Sequence, residues 1–281
     1  MTVVSLEASL AGKADAVRAA FRRAGPTLVA FSGGVDSTVL AALAHEALGS
    51  KMLTVTADSE TLFPGEADEA RFIAQARGWR HLIVRRSELR DPAFASNSSE
   101  RCYFCKDDLY AMLREVADAR GFAAVADGTN LSDLGGDRPG YRAVARRGVL
   151  SPLVEAGITK AEVREIARSF GLTNAEKPAL ACLSSRFPHG QLITLGGLDR
   201  VARAEQAVRG ALGTDLVRVR DDGGTARVEV AADRVVDALT RRADLTRALL
   251  EFGFQSVVID PDGYRQGGAD RRAAPQASLV R

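Results

Sequence analysis

At 281 residues the chain is long for one compact domain, so one large and one smaller domain are expected. Its 46% hydrophobic and 26% charged residues are those of a globular protein able to bury a core, and a net charge of +2 carries no footprint of nucleic-acid binding. No apolar run approaches membrane-spanning length, Met1–Ser5 lacks a basic region followed by an apolar one, and three cysteines argue against a secreted disulfide framework, so a cytoplasmic protein is expected.

Apolar residues at Leu6, Leu10, Val17, Ala20 and Phe21 predict an amphipathic helix up to Ala24, ended by Gly25. Thr27–Phe31 is a short apolar strand, and Ser37–Leu48, rich in helix formers and closed by Gly49, is a helix. Between them lies Ser32-Gly33-Gly34-Val35-Asp36-Ser37. Without Cβ atoms, Gly33 and Gly34 let the backbone turn sharply and bring its N–H groups to an anion. The helix N-terminus adds oriented donors and partial positive charge, Ser32 and Ser37 add hydroxyls, and no lysine makes this a Walker A loop. Asp36 is suited to holding Mg²⁺ or orienting the loop.

Lys51–Ala57 predicts a second strand ending at Asp58-Ser59, Gly65–Arg77 a helix, and His81–Val84 a third strand. Strands alternating with helices imply a parallel sheet with right-handed crossovers, whose ligands sit at the strands' carboxyl ends. Asp58 falls there, as a nucleotide contact or as a turn residue. Asp91–Ser99 is polar and turn-rich, a loop delivering Cys102 and Cys105 to the mouth of a helix from about Lys106 to Ala119. Phe122–Ala126 is a strand that runs into Asp127-Gly128-Thr129-Asn130, whose glycine and polar donors suit a nucleotide site. A loop over Asp133–Gly140, a segment Tyr141–Arg147 and a short strand near Val149–Leu153 follow. Thr159-Lys160-Ala161-Glu162 is a capping box opening a helix through Ser169, closed by Gly171.

After Gly190 the texture changes. Gly196–Leu212 reads as a helix, and Leu216–Arg220 and Ala226–Val230 as a hairpin around Asp222-Gly223-Gly224. Asp233–Phe252 reads as one helix, Ser256–Asp260 as a closing strand, and the tail from Pro261 as irregular with a mobile end. The expected organisation is α/β: residues 1–188 a parallel-sheet domain, residues 189–281 a smaller α+β domain for substrate binding and oligomerisation.

The full string from Ser32 to Ser37, set between strand and helix, resembles the pyrophosphate (PP) loop of the ATP pyrophosphatases, which include the NAD, GMP and asparagine synthetases and the tRNA thiolases. The resemblance implies cleavage of ATP between its α and β phosphates and adenylation of a substrate oxygen.

Cys102 and Cys105 form a Cys-x-x-Cys pair, and Cys182 sits in Lys177-Pro178-Ala179-Leu180-Ala181-Cys182-Leu183-Ser184-Ser185-Arg186. Three thiolates suit a [4Fe–4S] cluster with one open iron, or zinc with a fourth ligand such as His189. A redox pair plus a lone nucleophile is the third reading.

Taken together, Ser32–Ser37, Asp58-Ser59, Glu100–Lys106, Asp127–Asn130, Gly171-Leu172, Lys177-Pro178 and the Cys182–Arg186 segment resemble, in that order, the LarE family of ATP-dependent sulfur transferases. The resemblance covers most of the chain. It implies adenylation and thiolation of the carboxylates of pyridinium-3,5-biscarboxylic acid mononucleotide, in nickel-pincer nucleotide synthesis. It further implies that the three-cysteine pattern holds a [4Fe–4S] cluster carrying an extra sulfide. In single-cysteine members, the residue matching Cys182 gives up its own sulfur. Arg218 and Arg220 match substrate-phosphate positions, Glu205 and Glu229 metal positions, and Arg186 a substrate or adenylate contact. Residues two apart on a strand share a face, so Arg218 and Arg220 can clamp a phosphate together. Asp221-Asp222, Ser132 and Gly135-Gly136 depart from the family pattern.

The expected protein is thus a Mg-ATP-dependent enzyme acting on a small mononucleotide, a homo-oligomer without membrane or nucleic-acid partners, whose sulfide source the sequence does not name. The rival readings are a tRNA thiolase, an ammonia-using synthetase, sacrificial sulfur transfer from Cys182, and a non-catalytic zinc-bound nucleotide sensor. Scarce basic, aromatic-interleaved surface weighs against the first, and three cysteines against the second.

Overall fold

The computed structural model describes residues 2–135, 139–178, 181–265 and 268–270, the side chains of 2–8 and 269 excepted. In chain order come α1 (Thr2–Ala24), β1 (Thr27–Ala30), α2 (Val35–Leu48), β2 (Met52–Asp58), α3 (Glu66–Ala76) and β3 (His81–Arg85). Then follow α4 (Pro92–Ala95), α5 (Arg101–Ala119), β4 (Ala124–Ala126), α6 (Pro139–Arg146), α7 (Pro152–Glu155) and α8 (Lys160–Ser169). The remainder is α9 (Leu195–Leu212), β5 (Val217–Asp222), β6 (Thr225–Val230), α10 (Val235–Thr240), α11 (Arg242–Glu251) and β7 (Ser256–Ile259). Two compact units result: residues 1–86 with 102–180, and residues 87–101 with 181–281. The division falls at 180/181 rather than 188/189, and a fifteen-residue excursion out of the first stretch goes with the second unit.

The first unit is built on a parallel sheet of order β3-β2-β1-β4, with β1 paired on both sides. Successive β1 residues serve opposite faces, as the pleat requires. Val29 joins Val17 and Phe21 of α1, Val39 and Leu43 of α2 and Ile166 of α8; Leu28 joins Tyr110, Leu113 and Ala117 of α5. A parallel sheet covered on both faces explains why its strands are continuous apolar runs. α2 is buried from Ser37 through Ala44 without interruption, which makes it a core helix whose N-terminus is fixed in place. Among the described residues no helix is long and apolar enough to cross a membrane.

The second unit carries a sheet of order β5-β6-β7, in which β5 and β6 are antiparallel and β7 runs parallel to β6. Val217, Val219, Val228 and Val230 are fully buried there, as are Val201 and Val208 of α9.

Several local expectations change, each for a readable reason. The cysteine helix begins at Arg101, so Cys102 and Cys105 lie in its opening turns rather than before it. The loop over Asp91–Ser99 contains α4, because Asp91 caps it through the Ala93 amide at 2.9 Å and Pro92 stands where its missing N–H costs nothing. The strand expected at Val149–Leu153 reduces to one parallel bridge from Leu150 to Ala126, since Pro152 opens α7. The helix expected over Asp233–Phe252 is two helices, broken at Arg241 beside Thr240, whose hydroxyl donates to the Val236 carbonyl at 2.9 Å. Gly136, within the expected loop 133–140, and the tail end 271–281 lie outside the described residues.

Candidate active site

β1 ends at Ala30, and the four residues to Gly34 turn the chain into α2. Gly33 has φ +72°, a conformation costly to any side chain, and a Cβ there would meet Ala70 of α3 at 3.2 Å. Asn174, 6% exposed, donates through Nδ2 to the Gly33 carbonyl and to Thr38 Oγ1, both at 2.9 Å. Holding that carbonyl toward buried Asn174 turns the N–H of the same peptide plane, that of Gly34, the opposite way. Gly34 N–H points toward Ser32 Oγ at 3.3 Å, and Ser37 Oγ donates to the Gly34 carbonyl at 3.0 Å. No side chain caps α2, so its first N–H groups remain available to an anion.

Asp36 stands in the first turn of α2. Its Oδ2 accepts from Lys160 Nζ at 2.5 Å, and its Oδ1 from Asn130 Nδ2 at 3.1 Å. The carboxylate is a quarter exposed, and its hard oxygens are of the kind that would hold Mg²⁺. Asn130, almost wholly buried, also donates to Asp133 at 2.8 Å and caps the turn that follows. Gly128 presses onto the loop: a Cβ on it would lie 2.8 Å from Ser37 N. Thr129 donates its hydroxyl to Asp127 at 2.6 Å, which fixes the turn's shape. Six of the expected nucleotide contacts, Gly33, Gly34, Asp36, Ser37, Gly128 and Asn130, therefore converge on the N-terminus of α2. Asp58 lies at the carboxyl end of the neighbouring strand, 40% exposed and 3.9 Å from the exposed Arg85.

Lys160 and Asn174 belong to this site and were not singled out by sequence reasoning. Lys160 had a signal: it is the first residue of α8, where a cation opposes the helix dipole, so a local reason for it is lacking. Asn174 had none beyond its place after Gly171.

Cys102 and Cys105 form no disulfide; the first is exposed and the second half-buried. Three residues apart on α5, they share one helix face, as two ligands of one metal or cluster must. The Cys105 carbonyl accepts from Arg86 at 3.1 Å.

In the second unit, Cys182 is free and exposed, its Sγ 2.9 Å from Ser184 Oγ. Arg186, 1% exposed, grips the turn that carries it, donating to the Ala181 carbonyl at 2.7 Å and the Cys182 carbonyl at 3.1 Å. The other side of its guanidinium forms a two-pronged pair with Glu205, at 2.7 and 3.0 Å. Glu205 also accepts from Arg209 and from the Val219 amide. Arg218 and Arg220 alternate on β5 as expected, but on a buried face rather than a solvated one. Arg220 pairs with Glu229 at 2.9 Å and donates to the Ser185 carbonyl at 2.8 Å. Arg227 also donates to Glu229. Arg218 stacks over Tyr264 at 5.2 Å; burial, and then the like charge of Arg186, pull its guanidinium below the usual range. Glu205 and Glu229 thus spend their carboxylates on arginines, and a cation bound there must displace them. His189, the suggested fourth zinc ligand, pairs through Nδ1 with Asp270 at 2.9 Å. Among the described residues no group of three or more His, Cys, Asp or Glu side chains is placed to hold a metal ion. Ala179 and Leu180 of the Cys182 segment lie outside the described residues.

Residues 13–125 match the asparagine synthase family model. A polypeptide of the glutamine-hydrolyzing GMP synthase of Archaeoglobus fulgidus is 27% identical over 158 residues, 53% of this chain and 52% of that one. Two relatives match nearly throughout. An uncharacterised Synechocystis protein is 40% identical over 264 residues, 93% of this chain and 98% of that one. A pyridinium-3,5-bisthiocarboxylic acid mononucleotide synthase of Lactiplantibacillus plantarum is 36% identical over 261 residues, 92% of this chain and 94% of that one. The family model stops at residue 125, whereas the two full-length relatives cover more than nine-tenths of the chain. On that full-length likeness, the chain belongs to the LarE family of ATP-dependent sulfur transferases.

Proposed function

We propose that the enzyme activates a carboxylate of pyridinium-3,5-biscarboxylic acid mononucleotide with ATP and replaces the activated oxygen by sulfur. The observation that carries the substrate is the 36% identity, across 92% of the chain, to a synthase of the bisthiocarboxylic acid mononucleotide. Carboxylate oxygen attacks the α-phosphorus and pyrophosphate leaves, giving an acyl-adenylate; a sulfur nucleophile then attacks the carbonyl carbon and AMP leaves. Activation is needed because carboxylate oxygen is a poor leaving group, whereas AMP is a good one.

The residues divide the work. The amides of Gly34 and the opening of α2, with the Ser32 and Ser37 hydroxyls, receive the departing pyrophosphate, and Asp36 receives Mg²⁺. Lys160, whose ammonium stands at Asp36 beside the loop, would neutralise charge developing on the phosphates. Asp58 serves the nucleoside side, while Gly128, Thr129 and Asn130 form the turn that backs the phosphate loop. Arg218, stacked over Tyr264, and Arg220, paired with Glu229, are the two phosphate positions on β5. Arg186 positions Cys182.

The donor chemistry fits a [4Fe–4S] cluster: Cys102 and Cys105 share a helix face, Cys182 is exposed, and none of the three is in a disulfide. Such a cluster, when bound, supplies a sulfide that is regenerable, unlike a sacrificed cysteine. Zinc is the alternative: His189 meets Asp270 through Nδ1, which leaves Nε2 as the nitrogen that would bind it.

Incubating anaerobically purified protein with MgATP, a sulfide source and the biscarboxylic mononucleotide is expected to give AMP, pyrophosphate and thiocarboxylate together. No substrate-dependent AMP overturns the reading. Iron and acid-labile sulfide in the purified protein support the cluster. Colourless protein whose Cys182 peptide loses about 34 Da on turnover, one hydrogen sulfide, shows the sacrificial route instead.

A further inference from the structure

Asp127 is 4% exposed, and its carboxylate is a crossing point within the first unit. One oxygen, Oδ2, accepts from the Tyr110 hydroxyl and from the Thr129 hydroxyl, each at 2.6 Å, with Lys106 Nζ 3.8 Å away. The other, Oδ1, accepts from Ser151 at 2.8 Å and from the Thr129 amide at 3.3 Å. Tyr110 and Lys106 belong to α5; Thr129 belongs to the turn whose Gly128 lies against the Ser37 backbone. A buried carboxylate is costly unless fully bonded, so its partners are held to it firmly. Burial and the adjacent Asp127 charge push the Tyr110 phenol well above its usual range, which keeps it a donor at any working pH. Lys106 follows Cys105 directly and lies one helical turn beyond Cys102.

We infer that Asp127 is a positioning residue that ties the thiol-bearing end of α5 to the nucleotide turn, so that filling the ATP cradle orders Cys102 and Cys105. The inference rests on the proposed reading, in which adenylation at the loop precedes sulfur delivery. Its physical content is a short path: an anion on the Ser37 amide fixes the Gly128 backbone, the Asp127–Thr129 hydrogen bonds carry that restraint to Oδ2, and Tyr110 and Lys106 pass it to α5. Rigidifying one end of such a path lowers the entropy cost of ordering the other.

Amide hydrogen exchange of the full chain, with and without Mg²⁺ and the non-cleavable analogue α,β-methylene-ATP, tests it. In the wild type, the analogue is expected to slow exchange over residues 32–38 and also over 102–109. Tyr110→Phe, which removes one donor from Oδ2, is expected to keep protection at 32–38 while losing roughly tenfold to hundredfold of it at 102–109, the scale of one hydrogen bond to a charged group. Ser151→Ala removes a donor from the other oxygen and is expected to keep both. If the variants behave alike, or if Tyr110→Phe leaves the protection of α5 intact while the analogue still binds, the inference is overturned. A wild type whose residues 32–38 are not protected overturns the nucleotide-site reading, and the inference with it; loss of turnover with α5 protection intact counts against the sulfur-transfer reading alone.

Discussion

Gly128→Ala tests whether the turn after β4 sets the geometry of the phosphate cradle. The added Cβ would lie 2.8 Å from Ser37 N, 3.0 Å from Ser37 Cα and 3.1 Å from Asp36 C. All three are backbone atoms in the first turn of a buried helix, so none can swing aside. Gly128 has no positive φ, so the effect is steric rather than conformational. Reaching ordinary contact requires the turn and the helix to part by about 0.6 Å, and overpacking on this scale costs about 1–3 kcal/mol. The amide that must recede is the one offered to pyrophosphate. A hydrogen bond of about 2.9 Å lengthened to about 3.5 Å is lost, and one to a charged group is worth about 1.5–3 kcal/mol. MgATP affinity is therefore expected to fall roughly tenfold to hundredfold. Calorimetric titration with MgATP, run beside a thermal melt, separates the two costs. A melting temperature lowered by a few degrees with unchanged affinity would refute the argument, because the turn would then support the fold without aiming the donors.

Four further outcomes are expected. Lys160→Met removes the ammonium from Asp36 and is expected to raise the KM for ATP at least about tenfold in a pyrophosphate-release assay, with partial recovery in Lys160→Arg; an unchanged KM removes Lys160 from the site. Cys102→Ala and Cys105→Ala are each expected to abolish thiocarboxylate formation while AMP release persists, read by mass spectrometry of the product. Glu205→Gln strips the buried Arg186 of its counter-charge and is expected to destabilise by about 3–5 kcal/mol, seen as a lower urea midpoint at constant slope. His81, partly buried with its ring nitrogen 3.0 Å from Thr54 Oγ1, has its pKa lowered by burial first. Because the unfolded chain then takes up the proton before the folded one, stability is expected to fall as pH drops below the ordinary histidine value, about 6.5. His81→Asn should shallow the melting temperature's decline between neutral and mildly acid buffers.

What could be read from the chain before the structure depended on how local its cause was. The strand–loop–helix around Ser32–Ser37 and the capping box at Thr159 and Glu162 were legible because period, cap and glycine chemistry act over a few residues. The excursion of residues 87–101 into the second unit was not, since nothing in a polar, turn-rich stretch says which core it joins. The same limit hid Asn174, 141 residues from the carbonyl it holds, and Lys160, 124 residues from Asp36. The arginines of β5 show the limit from the other side. Alternation correctly placed Arg218 and Arg220 on one face, but a period of two cannot tell a buried face from a wet one; Tyr264 under Arg218 and Glu229 beside Arg220 decide that. Yet Lys160 left a trace. A lysine opening a helix gains nothing from the dipole, and the capping box beside it needs only Thr159 and Glu162. A residue that works against its local setting is held by something distant, and here that is the aspartate of the phosphate loop. Local consistency pointed to the phosphate loop, and local misfit marks the distant residue that completes it.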